Sequence, residues 1–281
     1  MVLGREQLEW NQDVWSALDG AVHDEFHRSA VGLKFIPFHG QVDNAMTVPS
    51  DIVDLDTMTV DETAVISLVE LGIEFGLTRQ QMAAETQNLT GVALATRAAN
   101  ILAQAEDLVL FSGNAALKHQ LFQRVQLRSG DAGEGLLGAA DQAVGVAPVS
   151  DDPKRYAEHT FDAVVEGYSL LQRQGHNGPY ALALRSEMYA DTFASDRSSL
   201  VMPADRITPL LSLGMFGTGM LPPSSGVLVS VGGNTMDLIV GVEPTTEFLQ
   251  VSTEGVYRFR VFERFALRVK DKTAIVRLDF T

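Results

Sequence analysis

The stretch VYRFRVFERFALRVK, residues 256–270, alternates apolar and polar side chains over most of its length. A period of two is typical of a β-strand whose two faces have different surroundings. The apolar face carries Tyr257, Phe259, Val261, Phe265, Leu267 and Val269, and the opposite face carries Arg258, Arg260, Arg264, Arg268 and Lys270. Two interpretations of the cationic face stand open: a solvated strand face, or a contact surface for an acidic neighbouring subunit.

Strand-like sequence lies on both sides of this stretch. Within residues 64–77 the apolar side chains alternate with polar or glycine residues, at Leu71, Ile73, Phe75 and Leu77. Short strands are predicted at residues 180–184 and 274–280. Two further strands, residues 226–231 and 236–242, flank the sequence Gly232-Gly233-Asn234, which predicts a hairpin between them.

Four segments show the helical period instead. The first helix is predicted at residues 11–28, the longest at residues 89–112, another after Pro153, and a shorter one at residues 186–194. The apolar stripe of the first helix is formed by Val14, Trp15, Leu18, Val22 and Phe26. Long helices mixed with antiparallel β-arms predict the α+β fold class.

Three segments carry neither pattern clearly. Residues 31–38 are expected to be extended. Residues 41–62 are acidic and non-helical, which predicts a long extended hairpin or arm. Within the glycine- and alanine-rich residues 115–149, the centre at residues 129–138 is predicted to be a mobile loop.

The composition excludes several function classes. The 281 residues include 21 Lys and Arg and 36 Asp and Glu, for a formal net charge of −15. This sign argues against a nucleic-acid partner, because phosphate neutralisation requires cations. No cysteine is present, which excludes disulfides and thiol chemistry. Residues 1–9 lack a signal-peptide pattern, and prolines interrupt the longest uncharged run, so we expect a soluble, cytoplasmic protein that binds no membrane.

Residue patterns for catalysis or metal binding are weak. His23 and His27 have the spacing of a helical metal site, but no third ligand is indicated, and solvent-facing histidines are favoured. Asp51, Asp54 and Asp56 lack the calcium-loop pattern, so a solvated acidic arm is favoured there. No nucleophile elbow or phosphate loop is present, and no carboxylate pair can be singled out. We therefore predict no catalytic residue, no metal and no cofactor, and an assembling protein that is not an enzyme.

Six segments carry a resemblance to one family. They are Leu3-Gly4-Arg5-Glu6-Gln7-Leu8 followed by Gly32-Leu33-Lys34-Phe35, Ala105-Glu106-Asp107, Gly175-His176-Asn177-Gly178-Pro179-Tyr180, Gly226-Val227-Leu228-Val229-Ser230, and Phe262-Glu263-Arg264-Phe265. In this order, and over nearly the whole chain, they resemble the encapsulins, bacterial nanocompartment shell proteins related to the major capsid proteins of tailed phages.

The resemblance implies a tailed-phage major-capsid-like fold. Its parts would be an N-terminal helix and arm at residues 1–40, an elongated loop at 41–77, a peripheral domain at 78–175 and 247–281, and an axial domain at 176–246. The implied function is self-assembly into a large icosahedral homo-oligomer. This shell would enclose a cargo enzyme, a peroxidase or a ferritin-like protein, through the cargo's C-terminal targeting peptide.

Two other functions are considered. The second interpretation is a phage or prophage major capsid protein. The net negative charge of the chain disfavours it, because packaged DNA is itself anionic. The other is an enzyme of the bacteriocin or protease type, for which the sequence has no catalytic constellation.

The resemblance also implies two sets of site residues. The pore loop at the fivefold opening would be formed by Ser195, Asp196, Arg197, Ser198 and Ser199. The groove that binds the cargo's tail on the inner wall would be formed by Val22, Phe26, Leu33, Phe35 and Ile36. Some family members carry arginine and aspartate at the positions of Leu33 and Pro37, so the groove here is expected to be more apolar, with leucine- or isoleucine-type anchors and weak salt dependence.

Overall fold

The computed structural model describes residues 3–42, 45–54, 57–61, 63–151, 154–194 and 201–281. The helices are α1 Gln12–Ser29, α2 Arg79–Ala83, α3 Glu85–Asn88, α4 Thr90–Ser112, α5 Gly135–Ala139, α6 Ala157–Arg173, α7 Ser186–Thr192 and α8 Pro203–Ile207. The predicted helices are confirmed as α1, α4, α6 and α7, with ends within a few residues of those expected. The mixture of helices and sheets confirms the α+β fold class.

The strands of the described residues form two large sheets and several short pairs. They are β1 Phe38–Gln41, β2 Thr47–Pro49, β3 Ile52–Asp54, β4 Thr59–Asp61, β5 Val65–Ser67, β6 Val69–Leu77, β7 Gln126–Ser129, β8 Gln142–Val146, β9 Ser150–Asp151, β10 Lys154–Arg155, β11 Tyr180–Arg185, β12 Gly214–Thr218, β13 Ser225–Ser230, β14 Met236–Val251, β15 Tyr257–Val269 and β16 Ile275–Phe280.

The first sheet has the strand order β1-β14-β15-β6-β7. β1 pairs parallel with β14, and the other neighbours are antiparallel. α1 and α4 pack against each other and against one face of this sheet. Burial of the stripe Trp15, Leu18, Val22 and Phe26 holds α1 there, since apolar area removed from water contributes roughly 25 cal/mol per Å².

The second sheet has the order β12-β11-β13-β16-β8. The period of two in β11 sends its side chains to two different cores. Ala181 and Ala183 join the core shared with the first sheet, whereas Leu182 and Leu184 join a second core that includes buried residues of α6. The second sheet therefore lies between α6 and the core of the first sheet.

The predicted hairpin between residues 226–231 and 236–242 is wrong. β13 belongs to the second sheet and β14 to the first, and a short 3-10 turn at Gly232–Asn234 carries the chain between them. The Val231 N–H donates to the Pro179 carbonyl (3.0 Å), and the Thr235 hydroxyl donates to the Ser230 carbonyl (2.7 Å). The first bond continues the pairing of β13 with β11 in the second sheet, and the second bond closes the turn, so the turn residues alone did not determine the pairing.

Sheet membership also crosses two of the expected domain ranges. β14 begins within residues 176–246 but pairs in the first sheet, and β16 lies within residues 247–281 but pairs in the second. The division into peripheral and axial domains therefore stays a proposal.

The acidic segment forms the predicted arm in its described residues. β2 pairs with β5 and β3 pairs with β4, all antiparallel, so the arm is a chain of short hairpin rungs. Its outer rung is also fastened to the body, because the Val53 N–H in β3 donates to the Lys270 carbonyl directly after β15 (3.2 Å). The arm thus leaves the body from the cationic side of β15.

Two expectations for irregular segments are wrong in part. Residues 31–38 are not extended throughout, because a 3-10 turn occupies Gly32–Lys34 and a strand begins only at Phe38. The predicted loop at residues 129–138 is only partly a loop: residues 130–134 lie in neither a helix nor a strand, but α5 begins at Gly135 and Leu136 is fully buried. No helix among the described residues is both long enough and apolar enough to span a membrane.

Candidate assembly and cargo-binding surfaces

The predicted cargo groove begins on α1, where Val22 and Phe26 are buried. Asn11 caps the helix, its side-chain oxygen accepting a hydrogen bond from the Val14 N–H (3.0 Å). Val22 and Phe26 lie on the stripe that contacts the chain's own core. Because they are buried, they can stabilise a binding surface but offer little area for direct contact with a peptide.

The segment after α1 is fixed by a single carboxyl group. Asp107, on α4, accepts hydrogen bonds from the Val31 N–H (3.0 and 2.9 Å to its two oxygens) and from the Gly32 N–H (2.8 Å). Gly32 has no space for a side chain, because a Cβ there would lie 2.5 Å from Leu110 Cδ1. This clamp produces the turn that the sequence did not predict.

The turn separates the remaining groove residues into buried and accessible ones. Phe35 and Ile36 are buried, and the Phe35 ring stacks near Phe216 at 5.6 Å between centroids. Leu33 is half-buried. Of the five predicted groove residues, Leu33 alone keeps a side chain that reaches the surface, and the other four are buried in the core cluster against which Leu33 packs.

Sequence reasoning missed Phe38, which is 57% exposed at the start of β1. An exposed aromatic side chain on a strand at the edge of a sheet is a candidate contact residue. The sequence signal is the phenylalanine directly after Pro37, at the end of the segment predicted to be extended.

The predicted pore residues Ser195, Asp196, Arg197, Ser198 and Ser199 lie outside the described residues. The two histidines considered as metal ligands do lie within them. His23 and His27 are exposed on α1 with ring centroids 4.1 Å apart. Over the described parts of the chain, no group of three or more His, Cys, Asp or Glu residues is arranged to hold a metal ion.

The cationic face of β15 is neither solvated nor free for a neighbour, except at Arg258. Cross-strand register brings a carboxylate opposite each of three arginines: Glu247 opposite Arg260, Glu70 opposite Arg264, and Asp237 opposite Arg268. Cross-strand pairs of opposite charge stabilise a sheet. Both interpretations of this face as a whole are therefore wrong, and the reason is that β15 lies in the middle of the sheet between strands that supply anions.

The ion pairs on this face are short and largely buried. Glu70 binds Arg260 (2.9 Å) and Arg264 (2.6 Å), and Asp237 binds Arg268 (2.9 Å) and Lys270 (2.7 Å). Burial opposes ionisation of Glu70, but hydrogen bonds from Arg264 and Arg260 outweigh it and lower the Glu70 pKa. The pKa of Asp237 is lowered in the same way, against burial, by Arg268 and Lys270.

The arm joins this network. Asp51 pairs with Arg268, whose guanidinium also donates to the Pro49 carbonyl (3.3 Å). Asp51 is therefore an anchor of the arm and not one member of a solvated acidic set. Asp54 accepts a hydrogen bond from the Thr57 N–H (3.3 Å), and Asp56 lies outside the described residues.

Along its length, the arm exposes apolar side chains. The exposed members are Met46 (50%), Ile52 (45%), Met58 (78%), Val60 (48%) and Val65 (64%). A hairpin of this length buries too little area of its own to be stable in water without a packing partner. The concentration of large apolar side chains on one thin arm marks an interaction surface.

The opposite face of the first sheet, under α4, holds a second set of acids. Glu106, Asp107 and Glu263 are each at most 2% exposed. Burial, followed by the charge of Asp107, raises the pKa of Glu106, and burial with both neighbouring carboxyls raises that of Glu263. Burial raises the Asp107 pKa to about 7, opposed by the Gly32 and Val31 N–H groups and by Lys34.

Sequence analysis missed these three carboxyls. Glu263 is the charged residue on the otherwise apolar face of residues 256–270, and Glu106 and Asp107 interrupt an apolar run of α4. A charge on a buried face was the available signal. The sequence did not show that Glu263 of β15 and the two acids of α4 lie close to each other.

The chain matches a known protein family. A family model described as encapsulating protein for peroxidase matches residues 1–126 and 132–266 of this chain. The type 1 encapsulin shell protein EncA of Myxococcus xanthus is 29% identical over 294 residues, which cover 99% of this chain and 96% of that protein.

Solved structures show the same fold. A virus-like particle from Pyrococcus furiosus matches with a TM-score of 0.69 and 17% identity, covering 94% of this chain and 99% of that chain. The capsid of Myoviridae phage XM1 matches with a TM-score of 0.55 and 13% identity, covering 88% and 90%. The predicted capsid-like fold is confirmed. Because the family model matches nearly the whole length of this chain, the chain belongs to the encapsulins, the family of encapsulating proteins for peroxidase.

Proposed function

We propose that this chain is the shell subunit of an icosahedral nanocompartment, and that its arm binds a second copy of the chain during assembly. The observation that carries the proposal is the exposed apolar surface of the arm, from Met46 to Val65. Repeated over every subunit, one such contact links neighbours into a closed shell. The ion pair of Asp51 with Arg268 holds the middle of the arm, between β2 and β3, against the first sheet and so sets its direction.

Arm variants test this assembly. The double substitution Met58→Asp with Val60→Asp should give a folded but unassembled protein, because charged side chains at an apolar contact must be desolvated. Met58→Leu is the matched control, which keeps an apolar side chain and should still form shells. Light scattering and electron microscopy measure the outcome, and shells of normal yield from the double variant would contradict the role of the arm.

We further propose that the shell encloses a cargo enzyme and binds the cargo's C-terminal tail at the surface around Leu33. The family description supports a peroxidase as cargo, and the resemblance noted above also allows a ferritin-like protein. Leu33 is half-buried over buried Phe35 and Ile36, a surface suited to a leucine or isoleucine side chain. Burying one such anchor contributes roughly 1.5–3 kcal/mol.

Co-expression with the cargo enzyme of the same operon tests the groove. Leu33→Asp should reduce cargo loading sharply while shells still form, and Leu33→Met should load normally. Loading of the native shell should also survive moderate salt, since an apolar contact is weakly screened. Full loading of Leu33→Asp shells would contradict this site.

The pore and the location of the shell complete the proposal. Residues 195–199 form a fivefold opening that admits small solutes to a cytoplasmic compartment, with residues 176–246 as the axial domain around it. The substitution Asp196→Lys should change the entry rate of a charged small molecule without changing particle yield. An unchanged entry rate for both anions and cations would show that these residues do not line the opening.

The phage-capsid alternative is separated by the contents of the particle. A net charge of −15 disfavours a DNA-filled shell, because the wall and the polymer would repel each other. Purified particles should therefore contain protein and no nuclease-protected nucleic acid.

A further inference from the structure

Three carboxyl groups lie buried under α4, and within the described residues neither of the two glutamates has a cation beside it. Glu106 and Asp107 come from α4, and Glu263 comes from β15 on the facing sheet. All are at most 2% exposed. Moving an ionised carboxylate into such a site is costly unless it is paired. The three side chains must therefore share fewer than three negative charges.

Hydrogen bonding distinguishes Asp107 from the two glutamates. Asp107 accepts three backbone N–H bonds at 2.8–3.0 Å from Val31 and Gly32. Glu106 Oε2 and Glu263 Oε1 are buried atoms that lack any hydrogen-bond partner. Donors stabilise the charged form of a carboxyl group. The negative charge is therefore best held by Asp107.

The charged groups around the cluster are few. The titratable groups acting on it within the described residues are its own three members and Lys34, an exposed cation on the turn after α1 that acts on Asp107. The arginines of β15 point to the other face, where Glu70 and Asp237 bind them. A carboxylate on Glu106 or Glu263 would have no counter-ion.

We propose that Glu106, Asp107 and Glu263 form a proton-binding cluster in which Asp107 is the first to release its proton as the pH rises, both glutamates keep their protons at neutral pH, and alkaline conditions weaken the packing of α1 and α4 on the first sheet. The ligand of this site is the proton itself. Asp107 is a positioning residue, since its carboxylate holds the turn that carries Leu33.

The sign of the pH effect follows from linkage. Both glutamates have a folded-state pKa raised above the ordinary 4.5, so the folded chain holds protons that the unfolded chain has released. The contribution of the two glutamates to stability is then complete below the unfolded pKa and falls as the pH rises through the interval between the unfolded and folded pKa values. The fall begins above pH 4.5 and continues toward alkaline pH, where the glutamates finally ionise.

The experiment measures the apparent Tm of the purified full-length protein, in the assembled state it adopts, between about pH 5 and pH 9. The wild-type Tm should fall over this range by at least about 5 °C. In Glu106→Gln with Glu263→Gln, a neutral amide replaces each protonated acid at nearly the same shape. The double variant should fold, and its Tm should fall less with pH than that of the wild type, with a remaining fall up to about pH 7 from Asp107. Its Tm should lie above that of the wild type at pH 9. Each single variant should remove part of the slope.

Two controls make the result specific. Glu166→Gln changes an exposed glutamate on α6 and should leave the wild-type slope intact. Asp107→Asn replaces an acceptor oxygen with an amide donor, and should lower the Tm at every pH while the slope due to the glutamates persists. A wild-type Tm that does not fall between pH 5 and pH 9, or a double variant with the wild-type slope, would overturn the proposal. So would failure of all Glu→Gln variants to fold, which would mean that the carboxylates are required in charged form.

Discussion

β15 carries charged side chains on both faces of the first sheet. The two faces differ in whether these side chains have partners of opposite charge. On the side of the arm, Arg260, Arg264 and Arg268 each meet a carboxylate of a neighbouring strand at 2.6–2.9 Å. On the side of α4, Glu263 meets Glu106 and Asp107, and its Oε1 has no hydrogen-bond partner. Both faces are buried, so burial is not what distinguishes them.

The difference lies in whether a cation accompanies the carboxyl group. Burial raises the pKa of every acid concerned, but arginine and lysine reverse the shift for Glu70 and Asp237, and nothing reverses it for Glu106 and Glu263. The paired face is therefore a set of fixed charges, and the face under α4 is largely neutral. One sheet thus depends on ionised acids on one side and on protonated acids on the other.

The largest expected effect comes from breaking the paired face. In Asp237→Asn, the buried cations of Arg268 and Lys270 lose their shared anion. Removing one partner of a buried pair costs about 3–5 kcal/mol, so we expect the Tm of the purified protein, measured by scanning calorimetry, to fall by about 10 °C. The control is Glu74→Gln, which breaks an exposed pair with Arg128 and should cost at most about 1 kcal/mol. Equal effects of the two variants would mean that burial does not strengthen these pairs.

The packing of the turn at Gly32 against α4 is tested by substituting two glycines, Gly32 and Gly20, by alanine. In Gly32→Ala, the new Cβ would lie 2.5 Å from Leu110 Cδ1 and 3.3 Å from Asp107 Oδ1, and such overpacking costs about 1–3 kcal/mol. In Gly20→Ala, on the exposed side of α1, the Cβ meets nothing within 4 Å. Alanine there should stabilise the helix by about 0.5–1 kcal/mol. Thermal unfolding should thus shift in opposite directions, and a stabilising Gly32→Ala would show that the turn has room to move.

Acid should weaken only the paired face. The folded-state pKa values of Glu70 and Asp237 lie below their ordinary 4.5 and 3.8, so their contribution is complete above these values and is lost as the pH falls below them. Each proton taken up costs about 1.4 kcal/mol per pH unit. Between about pH 5 and pH 3 the Tm should fall, and the fall should be smaller in Glu70→Gln. An identical fall in this variant would assign acid sensitivity to other groups.

The smallest effect is expected at the end of the cationic face. Arg258 lies opposite Gln250, not opposite an acid, and it is exposed. Arg258→Ala should change stability by no more than about 0.5 kcal/mol, and a urea or thermal unfolding curve measures this. A loss as large as that of Asp237→Asn would mean that the assembled shell covers Arg258 with an anion.

Local periodicity explains how much of the fold could be predicted. The stripe of α1, the long α4 and the alternation of β15 are written in neighbouring residues, and the sequence therefore predicted each element within a few positions. Gly232-Gly233-Asn234 has the composition of a hairpin turn, yet the strands beside it enter different sheets. A turn residue sets the local backbone, whereas strand pairing depends on partners more than 30 residues away, such as the Pro179 carbonyl that accepts from Val231.

The candidate site divides in the same way. The sequence by itself determined the family, the acidic arm, the cationic face and the stretch that contains Leu33, because these are properties of residue type and order. Only the tertiary structure decided that the cations of β15 are neutralised by Glu70, Glu247 and Asp237, and that Glu106, Asp107 and Glu263 share one site. The physical reason is that a charge on a strand has no fixed protonation state or partner until neighbouring strands and helices supply cations, donors or neither.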